Sequence, residues 1–215
     1  MGREFIPLFD DWAEFYEDTV SGQDIEYKEV FENYEKILQT VALKSKGTVL
    51  EFGVGTGNLT EKLISLGRVV YGVEPSKAMR EKTNARFKDL HLYDGDFINF
   101  PELPEKVDSI VSTYAFHHLT DEEKDAALKV YSTLLDDQGK VVFADTAFVN
   151  EENRKEQHRI VKEQGFENLL ADLKREYYTT LENLERLFAK NGFQVTFEKM
   201  NSYVWLMEAV KVNKN

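Results

Sequence analysis

The sequence predicts an α/β fold, a mostly parallel seven-stranded sheet with helices on both faces and an antiparallel hairpin at its C-terminal end. Three observations predict it. Short apolar runs alternate with helical patterns through the middle of the chain, as parallel sheets with crossover helices require. A glycine-rich turn, Gly53-Val-Gly55-Thr-Gly57, follows the first of these runs and leads into a helix. The last two apolar runs are joined only by Asn201-Ser202, long enough for a hairpin but too short for a crossover.

The elements follow in order. Residues 9–20, FDDWAEFYEDTV, carry Phe9, Trp12, Ala13, Tyr16 and Val20 near helical spacing and predict an amphipathic helix. A second helix is predicted over Tyr27–Val41. Buried strands are predicted at Thr48–Phe52, Val69–Val73, His91–Tyr93, Ser109–Thr113 and Lys140–Ala144, with helices at Asn58–Leu66, Lys77–Phe87 and Glu122–Leu135. A further helix, Glu182–Lys190, stops at Asn191-Gly192, a good C-cap signal. The strands Gln194–Met200 and Tyr203–Val210 complete the sheet. Residues 150–180 are charged, helix-favouring and longer than a normal connection, which predicts a helical insertion near the strand ends. The chain therefore divides into a helical cap over residues 1–45 and one main domain over residues 46–215.

Composition removes several classes of function. The 215 residues carry a formal net charge of −12, which disfavours nucleic acid, whose binding depends on Lys and Arg neutralising phosphates. There is no cysteine, so disulfides, thiolate metal sites, iron–sulfur clusters and cysteine nucleophiles are excluded, and no metal is expected. The start, MGREFIPLFDDW, lacks the basic-then-apolar layout of a signal peptide, and no apolar run approaches membrane-spanning length. The expectation is a cytoplasmic protein with no membrane partner. Nothing in the sequence sets an oligomeric state.

The glycine turn carries the chemistry. Bare backbone at the carboxyl end of a strand lets a ligand approach without a Cβ in the way. The dinucleotide fingerprint G-x-G-x-x-G fails here, because Asn58 or Thr60 stands where its last glycine belongs, and this argues against a nicotinamide oxidoreductase. What stands instead is Glu51-Phe-Gly53-Val-Gly55-Thr-Gly57. The next strand ends at Glu74, whose carboxylate can accept two hydrogen bonds from a ribose diol. Ser76 is a natural N-cap, and Met79 falls one turn inside the helix, suited to lie on a flat base. The third strand runs into Tyr93-Asp94-Gly95-Asp96-Phe97, where a carboxylate and the adjacent N–H can read the edge of adenine. No cradle for a pyrophosphate is evident.

With Val107–Leu119 (VDSIVSTYAFHHL) added, these motifs resemble those of the class I S-adenosylmethionine-dependent methyltransferases, in particular the small bacterial YrrT-type enzymes. The resemblance covers residues 48–147, and the terminal hairpin and the N-terminal WAEFY block fit it as well. It implies a Rossmann-like methyltransferase fold with S-adenosylmethionine as cofactor. The implied cofactor residues are Glu51, Gly53, Gly55, Gly57, Glu74, Met79, Asp96 and Phe97, with Gly53 and Gly55 facing the methionine part, Glu74 the ribose and Asp96 the adenine amine.

Methyl transfer rests largely on positioning, with a base needed for some acceptors. The candidates follow the fourth strand: His118, or less favourably His117, with a packed or capping role as the alternative. Trp12, Tyr16, Tyr177 and Tyr178 are candidates for the acceptor cavity, with packing as the alternative for each. The D/N/S-P-P-Y motif of amino methylation on nucleic-acid bases is absent after the fourth strand. With the acidic charge, this favours a small-molecule acceptor. A non-catalytic protein that retains S-adenosylmethionine or its demethylated product would carry the same glycine, Glu74 and Asp96 set.

Overall fold

The computed structural model describes residues 3–7, 10 and 16–212. A short 3-10 turn at Arg3–Phe5 precedes helix α1 (Tyr16–Val20), the end of the predicted N-terminal helix. Phe9, Trp12 and Ala13 lie outside the described residues. Helix α2 spans Tyr34–Lys44, not Tyr27–Val41. The cause is tertiary. The Asn201 side-chain amide donates to the carbonyls of Val30 and Glu32, taking acceptors that a helix would use, and Asn33 adopts φ 63°. Tyr27 is drawn away as well, its hydroxyl donating to the Asp172 carboxylate.

The alternating region matches the sequence closely. Strand β1 (Thr48–Phe52), helix α3 (Asn58–Ser65), β2 (Val69–Val73), α4 (Lys77–Arg86), β3 (His91–Tyr93), β4 (Val107–Thr113), α5 (Asp121–Leu134) and β5 (Leu135–Thr146) follow in turn. The insertion forms α6 (Glu151–Gln164) and α7 (Glu167–Arg175), and α8 (Leu181–Lys190) leads into β6 (Phe193–Lys199) and β7 (Val204–Lys211). Strand β5 starts earlier than predicted. Leu135 already pairs with Val107, and the register shifts before Ser109 pairs with Lys140. Thr120 caps α5 reciprocally with Glu123, and Thr180 caps α8 by accepting from the Asn183 N–H.

The seven strands lie in the order β3-β2-β1-β4-β5-β7-β6. Only β7 runs antiparallel, to both β5 and β6. Alternate residues of each strand feed two cores. Val49, Val111 and Val142 join one with Ile37, Leu38 and Leu63, while Leu50, Ile110 and Phe143 join the other with Leu128 and Phe188. Each fully buried side chain of this kind stabilises the fold by ~1.5–3 kcal/mol. No helix among the described residues is long and apolar enough to cross a membrane.

This topology positions the site. The order in which the strands are laid down reverses between β1 and β4, which are parallel neighbours, while β1 also pairs with β2. The crevice outside the carboxyl ends at such a switch point is where open α/β sheets bind ligands.

Candidate functional site

At the end of β1 the chain turns through Gly53 at φ 65° and Gly55 at φ 57°, a backbone conformation that other residues enter only with strain. A Cβ on Gly53 would lie 2.7 Å from the Ala115 Cβ, whereas one on Gly55 would meet no atom within 4 Å. Gly53 is thus bare for packing, and Gly55 is bare beside open space. Glu74, at the end of β2, braces the turn. One carboxylate oxygen accepts from the Gly55 N–H at 2.9 Å and the other from the Ser76 N–H at 2.8 Å. The Thr83 hydroxyl donates to the Gly55 carbonyl at 2.6 Å, and the Arg80 guanidinium donates to the carbonyls of Glu74 and Pro75. Ser76 caps α4 by accepting from the Met79 N–H, as the sequence predicts. Burial raises the Glu74 carboxyl to about 7, against the lowering effect of the Gly55 and Ser76 N–H groups.

This turn borders a cleft at the carboxyl ends of the strands. Gly53, Gly55, Glu74, Met79, Asp96 and Phe97 all face it. The Asp96 carboxylate accepts from the N–H groups of Ile98 and Asn99, which fixes the loop after β3. Two expected members stand apart. Glu51 is 1% exposed and accepts from the Thr60 hydroxyl at 2.7 Å, and burial raises it to about 8. Gly57 forms the N-terminus of α3, where a Cβ would strike the Phe87 ring. Neither lines the cleft, so both act on the turn from behind.

The cleft fits an adenosine bearing a short polar chain. It offers carboxylates at two strand ends, the thioether of Met79 between them and bare backbone at Gly55. Beside Gly53, the Ser112 hydroxyl is 1% exposed and has no hydrogen-bond partner among the described residues.

Beyond β4 the backbone makes a strained exit. Tyr114 takes φ 54°, its N–H donating to the Ala144 carbonyl while its ring packs on Phe31 and Tyr34. A 3-10 turn, Phe116–His118, follows. Beside it lies a second chamber that adjoins the cleft, lined among others by Tyr27, Tyr114, Tyr178, His117, His118 and Glu176. His118 lines both spaces and His117 only the second, which gives the two histidines the different outlooks the sequence requires. Leu119 is fully buried, also as expected. Tyr16 borders both spaces and Tyr178 the second, whereas Tyr177 is 38% exposed and borders neither. Trp12 lies outside the described residues.

The insertion reaches this point because its end is stitched to the turn. The Tyr177 N–H donates to the His117 carbonyl at 3.0 Å, and buried Lys124 donates to the carbonyls of Leu119 and Tyr177. Burial lowers Lys124 to about 8. The N-terminal segment reaches the other rim. Glu17 accepts from the Thr56 hydroxyl at 2.6 Å and from Asn58, and Asp10 accepts from the Ser76 hydroxyl at 2.6 Å.

Two carboxylates absent from the sequence prediction define the histidines. Asp145, at the end of β5, accepts from His117 Nδ1 at 2.6 Å and from the His117 N–H at 2.9 Å. Glu176 faces His117 Nε2 at 3.3 Å. Burial alone would strip His117 of its charge, but Asp145 and Glu176 outweigh it and hold the imidazolium up to about 10. Glu176 responds in kind. Burial would raise it, yet His117 holds it down at about 2. His118 is pushed the other way, well below the usual imidazole range, by burial and by the charge on His117, whose ring lies 4.0 Å away. One histidine is a fixed cation and its neighbour is neutral. Ligand atoms of His117, His118 and Glu176 lie within 4.8 Å of one another, a spacing that could also admit a divalent metal.

A seven-stranded sheet with one antiparallel strand near its edge, and a cleft beyond β1, β2 and β3, define the class I methyltransferase fold. The chain belongs to the methyltransferase-domain family, which matches residues 25–197. It is 56% identical over 212 residues to an uncharacterised methyltransferase of a Geobacillus species, covering 98% of this chain and 100% of that one. A relative in Oceanobacillus iheyensis, also an uncharacterised methyltransferase, is 50% identical over 99% of this chain and 100% of its own length. Among solved structures, the magnesium protoporphyrin IX methyltransferase of Synechocystis with bound S-adenosylmethionine superposes with a TM-score of 0.68 at 16% identity, covering 99% of this chain and 98% of that one. A possible histamine N-methyltransferase of Thermotoga maritima gives 0.68 at 19% identity, covering 97% and 100%. The resemblance drawn from the sequence therefore holds for family and fold, and the methyl donor of this family is S-adenosylmethionine.

Proposed function

We propose that the protein is an S-adenosylmethionine-dependent methyltransferase acting on a small-molecule acceptor in the cytoplasm. The observation that carries this reading is the pair of adjoining spaces that share Tyr16, Met79, Tyr114 and His118, the cleft lined by Gly55, Glu74 and Asp96 on one side and the second chamber on the other. A protein that merely retains the cofactor has no use for the second space. Bound in the cleft, S-adenosylmethionine supplies an electrophilic methyl group on a sulfonium. Gly55 leaves room for its amino-acid chain, Glu74 binds the ribose, and Asp96 with the Phe97 N–H reads the adenine edge. Met79 lies against the base. Glu51 and Gly57 hold the turn in shape.

His118 is the general base. It is neutral at physiological pH, faces both spaces and can take a proton from an acceptor in the chamber. His117 is a positioning residue, fixed between Asp145 and Glu176. Residues 1–20 and 150–180 serve as covers that exclude water, with Asp10, Glu17 and Tyr177 as their ties to the rims. The net charge of −12 supports a small acceptor over a polyanion.

Calorimetric titration with S-adenosylhomocysteine and with NAD tests the cofactor: binding of the first and not the second is expected, and the reverse would reject the proposal. Incubation with methyl-labelled cofactor and a metabolite extract tests turnover, the expected result being a product heavier by one methyl group.

A further inference from the structure

The acceptor chamber is lined by the Glu176 carboxylate, whose Oε1 accepts no hydrogen bond from the described residues. Both short contacts of Glu176 fall on one oxygen, Oε2: the Tyr178 hydroxyl donates to it at 2.5 Å and His117 Nε2 approaches to 3.3 Å. Oε1 is ion-paired with the Arg175 guanidinium at 3.8 Å, beyond hydrogen-bond distance. That guanidinium is half exposed and already donates to Asp172 Oδ1 at 2.7 Å. The Glu176 side chain is 7% exposed, and Oε1 keeps the surface through which a ligand in the chamber can donate a hydrogen bond to it.

The walls limit what that ligand can be. No Lys or Arg lines the chamber among the described residues, whereas two carboxylates, Asp172 and Glu176, do. A carboxylate or phosphate group brought here would lose its hydration and find no free cation. Aromatic rings make up much of the remaining wall, among them Tyr27, Phe31, Tyr114, Tyr178 and Tyr203. Ring faces attract cations, most strongly where water is excluded.

We infer that the chamber takes an amine, held as its ammonium by Glu176 Oε1 and the surrounding tyrosines. The inference rests on the methyltransferase reading for the word acceptor, but recognition of the ammonium stands on the chamber itself.

The test uses three probes of one shape, benzylamine, benzyl alcohol and benzoate. Their binding to the full chain is followed by ligand-observed NMR at pH 7 with EDTA present, with and without saturating S-adenosylhomocysteine. Benzylamine should bind ~10-fold or more tightly than either of the others, the scale of a hydrogen bond to a charged group. Glu176→Gln should remove that preference. Equal or tighter binding of benzoate or benzyl alcohol to the wild-type chain, or no benzylamine binding up to ~10 mM, would overturn the inference, and these outcomes need no variant to fold. Retention of the preference in a folded Glu176→Gln variant would overturn it too. Binding of S-adenosylhomocysteine in the same samples separates the two claims. If it binds and the preference is missing, only the amine assignment falls. If it fails to bind while the preference is present, the methyltransferase reading falls and the ammonium site stands.

Discussion

The charge on His117 should make the fold lose stability as pH rises, and His117→Gln isolates that effect. In the unfolded chain an imidazole titrates near 6.5. In the fold Asp145 and Glu176, acting against burial, hold His117 at about 10. A folded value above the unfolded one means that the fold binds the extra proton between these limits. The stabilisation is therefore complete below about 6.5 and disappears as pH passes about 10. Linkage gives a contribution of about 4–5 kcal/mol at pH 6, about 3 kcal/mol at pH 8 and under about 1 kcal/mol at pH 10. The low-pH figure agrees with the ~3–5 kcal/mol expected for breaking a buried ion pair. Lys124 works in the opposite sense. Burial lowers it to about 8, so its release of a proton favours the fold as pH rises beyond that point. Both proteins carry Lys124, so it cancels in their difference. Urea unfolding at pH 6, 8 and 10 is the assay. The gap between wild type and His117→Gln should shrink by about 4 kcal/mol across that range. A gap constant to within about 1 kcal/mol would refute the assignment of a fixed cation between Asp145 and Glu176.

Three further outcomes follow from the site. Glu74→Ala should weaken S-adenosylhomocysteine binding by ~1–3 kcal/mol in calorimetry, and should also lower the melting temperature, because Glu74 holds the Gly55 and Ser76 N–H groups. Gly55→Ala should fold with a penalty of ~1–2 kcal/mol for a side chain at positive φ, since its Cβ meets no protein atom, yet lose cofactor affinity because that methyl enters the cleft. With an acceptor in hand, His118→Asn should reduce turnover ~100-fold or more while cofactor affinity holds, whereas unchanged turnover across pH 6–9 would remove His118 as the base.

Whatever depends on neighbours in the chain was legible in the sequence. The turn at Gly53–Gly57, the strand end at Glu74 and the cap at Ser76 follow from short-range rules, and the structure keeps each where local chemistry puts it. The hairpin was legible because Asn201-Ser202 leaves the chain no other route. Long-range chemistry was not legible. Asp145 and Glu176 come from β5 and from the end of the insertion, and nothing local marks either as a partner of His117. The error over residues 27–33 has the same origin. Their pattern suits a helix, but a distant asparagine takes the carbonyls the helix needs. Glu51 stands in the motif, and the bond its carboxylate accepts from the Thr60 hydroxyl is another contact that the motif alone does not announce.

The most direct test of the account is a crystal structure with S-adenosylhomocysteine bound. The account predicts the ribose hydroxyls within hydrogen-bond reach of Glu74, the adenine edge at Asp96 and Phe97, and the sulfur facing the boundary that His118 forms with the chamber. A ligand bound away from Gly55 and Glu74, or one whose sulfur faces away from His118, would contradict it.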